Sequence, residues 1–410
     1  MTVRAQCCVV GGGPAGMMAG LLLARQGVDV IVLEKHADFL RDFRGDTVHP
    51  STLELIAELG WIEEFLGLPH TKMPRVTVNM GGEDVTFADF SRLKVRCPYI
   101  VFMPQWDVLD FFAGKAAAYP SFRLLRRTQA TELLTERGRV TGVLADTEDG
   151  PVRIQADLVI GADGRHSTVR ARADLAPVND SPPMDVLWFH LPRRAEDRVP
   201  FFQGGKGALI SIDRGDYWQI AYAIPAAAFA ELKAAGLPAF RDRVAELAPA
   251  LRDRAQRIDG WEMVHQLTVQ VNRLTQWHRP GLLCIGDAAH AMSPAGGVGI
   301  NLAVQDAVAT ANLLGPLLAR GGIPEDADLA RVQARRQRAA RVTQAFQLGI
   351  LRDLYPKDLG DDTTRHVPPI FTAFRTLPPL RHLMGRFIGM GVRPEHIADD
   401  PSAANAAMAS

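Results

Sequence analysis

The chain has 410 residues, too long for one small core and suited to two or three structural units. Hydrophobic residues make up 47% and charged residues 22%, the proportions of an ordinary globular protein. Lys+Arg and Asp+Glu both number 46, and a formal charge of zero argues against nucleic-acid or anionic-membrane partners, which a basic excess would serve.

Residues 7–10 (CCVV) read as a buried strand. It runs into "GGGPAGMMAGLLLARQG", a glycine turn that opens a helix ended by Gly27. "VDVIVLEK" is a second apolar strand, which completes a βαβ unit. Residues 51–66 read as a helix with Ser51 as N-cap and Glu54 completing a capping box. Residues 72–102 alternate like antiparallel strands, and 105–118 are helical again. Residues 122–160 hold short strands with a turn near Asp149-Gly150, and end in "ADLVIGADG". Between 177 and 278 lie short runs such as "ALISI" and "YWQIAYAI", which predict a separate antiparallel sheet with one helical insert near 226–256. An apolar strand returns at Gly281, followed by helices over 300–318 and 325–350. The segment 356–410 is Pro-rich and irregular, with a disordered tail.

The basic run "ARVQARRQRAARV" (330–342) reads as a solvated helix face. The four cysteines (Cys7, Cys8, Cys97, Cys284) show neither zinc-ligand spacing nor a disulfide framework, so no metal and a reducing, cytoplasmic setting are expected. Glycines from position 11 leave no h-region for a leader, and no apolar run reaches the ~20 residues of a membrane span.

Three motifs carry chemistry. Gly11, Gly13, Gly16 and Gly20 form G-x-G-x-x-G-x-x-x-G between strand and helix, the pattern that brings backbone close to a pyrophosphate at a helix N-terminus. Glu34 ends the second strand, where a carboxylate accepts from the 2′-hydroxyl of an unphosphorylated adenosine, so FAD or NAD. "DLVIGADGRHSTVR" (157–170) delivers Asp163-Gly164 to a turn. "GLLCIGDAAHAMSPAGGVGINLAVQDA" (281–307) sets Asp287 at a strand tip, for a polyol hydroxyl or a helix cap. It then bares the next helix entrance at Gly296, Gly297 and Gly299. His290 reads as a packed or capping histidine, and no Ser/His/Asp or Cys/His nucleophile set is present.

Together these three motifs resemble the single-component flavoprotein aromatic hydroxylases, the para-hydroxybenzoate hydroxylase family, over nearly the whole chain. The resemblance implies an α/β fold. A Rossmann-like, GR2-type FAD domain (1–71, 101–176, 279–350) would carry an inserted, mostly antiparallel β-sheet substrate domain (72–100, 177–278) and a C-terminal helical segment (351–410). It implies that Gly11, Gly13, Pro14, Ala15 and Gly16 hold the FAD pyrophosphate. Glu34, with Lys35, would take the adenosine ribose, Arg44 and Gln105 the middle of the cofactor, and Asp287 the ribityl chain. Asp163 would belong to the motif shared by FAD and NAD(P)H. Pro294 would border the flavin on the substrate side, and Gly297, Val298, Gly299, Ile300 and Asn301 would meet its N1/O2 edge.

The implied reaction reduces FAD with NADH or NADPH, forms a C4a-hydroperoxide with O2 and hydroxylates a phenolic ring. His49, Met103, Phe202, Trp188, Tyr217 and Tyr222 are the substrate-pocket candidates, His49 also as a base. With no arginine evident to grip a benzoate, a larger, less polar aromatic is favoured. A flavin halogenase is the alternative, but "YWQIAYAIP" has Ile220 and Tyr222 where that family has tryptophans. A reductase or dehydrogenase of the same superfamily is a further alternative, and a non-catalytic flavin binder ranks lower. Partners reduce to the aromatic substrate, O2 and at most a second copy of the chain.

Overall fold

A computed structural model describes residues 1–40, 47–80, 83–205, 207–354, 358–359 and 369–398. The strand Thr2–Val10 lies at the centre of an eight-stranded sheet, parallel to Val30–Leu33 on one side and to Gly150–Gly161 on the other. Phe122–Leu125 and Leu282–Cys284 extend the parallel set outward. Gly150–Gly161 is long enough to pair with Arg139–Thr147 along its first half and with Leu282–Cys284 at its end. The carboxyl ends of the parallel strands therefore gather Gly11, Glu34, Asp163 and Asp287 along one edge, where open α/β sheets bind ligands. The helices Pro14–Arg25 and Gly299–Ala319 pack on each other over this sheet and close the largest apolar core.

The seven-stranded second sheet combines Arg75–Met80 and Glu83–Asp89 with five strands between residues 184 and 268. Successive side chains leave on opposite faces. Met184, Val186 and Trp188 enter one core, and Leu187, Phe189 and Leu191 enter another. The second core is covered by the helical insert, Ala228–Ala235 and Leu237–Leu247.

Four local expectations change. The helix after residue 49 runs Pro50–Glu58, with His49 as its cap and Pro50 at its first position. Ser51 lies inside it, and Glu54 accepts from the Arg96 N–H at 3.1 Å instead of closing a capping box. The segment after 356 is not irregular throughout, because Pro369–Thr376 and Pro378–Met390 are helices. Their prolines stand at the first helical positions, where proline is tolerated. Gly385 and Gly389 let the second of these helices lie almost directly on the backbone of Asp89 and on Phe90 and Pro50, covering the sheet's edge strand.

The basic run is not wholly solvated, because Arg336 is 1% exposed. Finally, Ala295–Ala319 is long and apolar enough to cross a membrane by length and composition. It is mostly buried here and serves as the core helix.

Candidate active site

At one end of the site, Gly11 leaves its strand at φ +107°, a conformation that favours glycine, and a Cβ there would collide with the Ala162 carbonyl. A Cβ on Gly16 would strike the Gly11 carbonyl, so the helix can start this close to the strand only without one. Gly13, the cap residue before Pro14, faces open space. Ala15 is buried against the core. Glu34 sits beside this turn. Its carboxylate accepts from the Gly12 N–H at 3.1 Å and from the His36 N–H at 3.0 Å, so it braces the glycine turn as well as facing the site. Lys35 is exposed, Gln105 begins the helix Gln105–Ala116, and Arg44 lies outside the described residues.

In the centre, Asp163 is engaged within the chain. It accepts from Ser167 Oγ at 2.5 Å and the Val169 N–H at 3.1 Å at the start of the short helix Thr168–Arg172. Burial pushes its carboxyl above the ordinary value, and these hydrogen bonds offset only part of the rise. Asp287 differs. It lies in the turn Gly286–Ala288, whose cap makes no side-chain hydrogen bond. Its carboxylate is one-third exposed, with Arg165 3.8 Å away. That leaves it open to a ligand and disfavours the helix-cap alternative.

At the far end, Gly296 (φ +77°) and Gly297 (φ +62°) fold the chain into the helix Gly299–Ala319. A Cβ on Gly297 would overlap Thr47, whose hydroxyl donates to the Gly297 carbonyl at 2.8 Å. Asn301 ties the same corner together. Its Oδ1 accepts from the His49 N–H at 2.9 Å and from Thr52 Oγ1 at 2.7 Å, while its Nδ2 donates to the Thr47 and Gly297 carbonyls. The N–H groups of Gly299, Ile300 and Asn301 have no intrahelical acceptor, as at every helix start, and the helix dipole adds positive potential there. Pro294 and Val298 flank the turn, both half-buried.

Between this helix entrance and the second sheet lies a cavity that opens to solvent. The sheet contributes Val76, Val78, Phe87, Phe202 and Ile210 to it. The long helices contribute Asn301, Gln305, Arg336 and Gln347, and the C-terminal helix contributes Phe387 and Ile388.

Of the sequence-derived substrate-pocket candidates, Phe202 lines this cavity and the others do not. Tyr222 falls on the opposite face of its strand, packed against Phe240, because strand side chains alternate. Tyr217 stands at the start of that strand beside His190, Met103 belongs to the core of the first sheet, and Trp188 is buried in the sheet core. His49 is wholly buried, with Nδ1 2.9 Å from the Ile388 carbonyl and Nε2 without a partner. Burial pushes it down to about 4, so it is neutral near pH 7.

Sequence reading missed a buried ionic cluster under the strand tip. Asp306 Oδ2 is 2.6 Å from His290 Nε2 and accepts from the Gly286 N–H at 3.1 Å. Its Oδ1 accepts from Arg336 Nε at 2.9 Å. Arg336 NH1 also lies 3.5 Å from Glu395. Burial alone would raise the Asp306 carboxyl, but His290 and Arg336 outweigh it and hold the group below its ordinary value. His290 is buried beside Trp277, with ring centroids 4.9 Å apart and the planes tilted by 46°.

A family model described as an FAD binding domain matches residues 4–346. Over 344 residues the chain is 33% identical to a 6-methylpretetramide 4-monooxygenase of Streptomyces rimosus, covering 82% of each protein. It is 27% identical to a 12-dehydrotetracycline 5-monooxygenase/anhydrotetracycline 6-monooxygenase of Streptomyces rimosus subsp. rimosus, covering 87% of this chain and 72% of that one. Among solved structures, a p-nitrophenol 4-monooxygenase of Pseudomonas putida DLL-E4 superposes with a TM-score of 0.78 at 20% identity. That match covers 96% of this chain and 99% of the other, a likeness of fold.

Proposed function

The chain belongs to the FAD-dependent aromatic hydroxylase family, and from that premise we propose that it hydroxylates a polycyclic phenol bound in the cavity between the second sheet and the helix entrance at 297–301, with NADH or NADPH as electron donor. The observation that carries this reading is the cavity itself. It is apolar where the sheet lines it, and it directly adjoins the glycine entrance of the helix Gly299–Ala319. The relatives named for 6-methylpretetramide and for 12-dehydrotetracycline and anhydrotetracycline favour a fused-ring ligand over a single ring.

The residues present fit FAD. The glycine turn excludes any side chain at Gly11 and Gly16 but leaves space at Gly13, and Asp287 offers an open carboxylate where a polyol would pass. When bound, FAD supplies the redox chemistry, taking electrons from NAD(P)H and activating O2 toward an electron-rich ring.

The chain's own groups would then act as follows. The N-terminus of Pro14–Arg25 holds the pyrophosphate at Gly13, Pro14, Ala15 and Gly16, with Glu34 and Lys35 on the ribose side. Arg44 and Gln105 hold the middle of the cofactor, and Asp287 accepts from the polyol. Asp163 keeps the intervening turn in shape. The N–H groups from Val298 to Asn301 stabilise negative charge on the ring edge, the Gly297 N–H being donated to the Pro294 carbonyl, and Pro294 borders the substrate. His49, neutral and bonded to the Ile388 carbonyl, positions the helix Pro50–Glu58 instead of moving a proton. The apolar lining excludes water from the reacting face.

In this reading residues 1–71, 101–176 and 279–350 form the cofactor domain, and 72–100 and 177–278 carry the substrate side. The test is NAD(P)H oxidation by the FAD-loaded protein with a panel of mono- and polycyclic phenols, with product mass measured in parallel. Polycyclic phenols that accelerate oxidation and gain ~16 mass units support the proposal. Stimulation by single-ring phenols alone, or by none, overturns it.

A further inference from the structure

The helix faces of the cavity carry more polar groups than an apolar ring needs, and most are already engaged. All four hydrogen bonds of the Asn301 amide are made within the chain, and Arg336 is paired with Asp306. Two glutamines differ. Gln305 is 4% exposed. Its Oε1 accepts from the Glu395 N–H, and its Nε2 has no partner. Gln347 is 1% exposed. Its Nε2 donates to the Ser293 carbonyl at 2.9 Å and the Ala295 carbonyl at 2.7 Å, and its Oε1 has no partner.

Neither amide can turn over to hide its orphan. A flipped Gln305 would set N–H against N–H, and a flipped Gln347 would set one carbonyl against two others. The residues that line the cavity therefore include one unsatisfied donor and one unsatisfied acceptor, both covered from solvent. Buried polar atoms without partners are uncommon in folded proteins and call for an explanation. A ligand that supplies both partners is the explanation the cavity offers.

We propose that Gln305 and Gln347 determine substrate specificity. Gln305 Nε2 donates to a carbonyl or phenolate oxygen of the substrate, and Gln347 Oε1 accepts from a substrate hydroxyl. The ligand is then a fused-ring aromatic that carries both kinds of oxygen, rather than a plain hydrocarbon or a simple phenol. This rests on the reading that the cavity holds the substrate. Gln347 also braces Ser293 and Ala295 on either side of Pro294, so the amide that senses the hydroxyl also shapes the turn beside the ring.

Four tricyclic probes of one shape separate the terms: fluorene, fluorenone, hydroxyfluorene and hydroxyfluorenone. Their Kd values are measured by fluorescence titration of the FAD-loaded protein, wild type, Gln305→Met and Gln305→Glu. The glutamate variant keeps an acceptor for the Glu395 N–H and replaces the orphan donor with a carboxylate oxygen, and FAD content checks folding.

In the wild type each added oxygen should tighten binding roughly tenfold, the ratio that one hydrogen bond supplies. Both variants should erase the gain from the carbonyl and keep the gain from the hydroxyl. A merely structural role for Gln305 would weaken all four probes alike, and that result overturns the proposal. Equal affinity for all four in the wild type overturns it too, while leaving the cavity as substrate site. If no probe binds, this proposal falls together with the polycyclic reading it rests on.

Discussion

Replacing Asp306 with asparagine removes one charge and almost no volume from the centre of the molecule. Asp306 is 0% exposed, and its two oxygens serve His290, Arg336 and the Gly286 N–H. An asparagine oxygen can still face Arg336, but its amide nitrogen then stands toward His290 and sets a donor against the Gly286 N–H. The counter-charge of a guanidinium that is itself 1% exposed and the Gly286 hydrogen bond are both lost. Breaking one side of a buried pair costs about 3–5 kcal/mol. Glu395, 3.5 Å from Arg336, remains, which puts the expected loss at the lower end, about 3 kcal/mol.

For 410 residues the unfolding entropy is of order 0.9 kcal/mol per degree, so Tm should fall by roughly 3–4 °C. Because the pair is buried, the drop should persist in 1 M salt, where ~3 Å screening would remove a surface effect. The Gly286 N–H bond links the cluster to the residue before Asp287, so FAD release on heating, followed by its fluorescence, should move down with the unfolding signal. Arg336→Met and the double variant complete the cycle. A coupling near zero, or a Tm within one degree of wild type, would refute the claim that this pair holds the strand tip.

Asp287→Ala should leave Tm of the FAD-free protein within about 1 °C, because the side chain is one-third exposed and caps nothing, while FAD content after dialysis falls. Retained FAD would remove the polyol role. Gly16→Ala should lower soluble yield and FAD content together, since its Cβ meets backbone. Gly13→Ala should fold normally and bind FAD less tightly, since its Cβ enters the space left for the ligand, and equal behaviour of the two would contradict this. His49 falls from an unfolded value near 6.5 to about 4, so the unfolded chain takes up the proton first. Stability is therefore full above about pH 7 and should drop by about 2 kcal/mol at pH 5. Denaturant midpoints at the two pH values should show that loss shrinking in His49→Gln. An inflection in kcat/KM near pH 6.5 that disappears in His49→Gln would instead make it the base.

What the sequence revealed about the site shares one property. Each constraint acts on backbone within a few residues. Gly11 and Gly16 are glycines because a carbonyl lies where a Cβ would be, and Gly297 because Thr47 does. Such demands leave a fixed spacing in the chain. Period-two alternation likewise divides the strand Tyr217–Pro225 into two faces, but it does not say which face meets a cavity. That is why Tyr222 stood as a substrate candidate while it packs under the helical insert. Gln305 and Gln347 were invisible for a further reason. Their meaning lies in atoms left unpaired after the backbone partners of both amides are known.

The ionic cluster lies between these cases, because its signal was present and needed one more inference. "LAVQDAVAT" puts an aspartate in the middle of a run whose neighbours, apart from Gln305, are all apolar or small. It is too deep in the helix to cap it. A charged residue on a buried stripe has to be paired, so the partner must come from another element with a buried stripe of its own. In the helix Asp326–Leu354 that stripe runs through Leu329, Val332, Arg336, Ala339, Thr343 and Gln347, spaced three or four apart. Arg336 is its one cation. Arg331, Arg335, Arg338 and Arg341 fall on the exposed side. Composition made "ARRQRAAR" look like a uniformly solvated face, whereas helical periodicity separates one arginine from the rest and points it at Asp306.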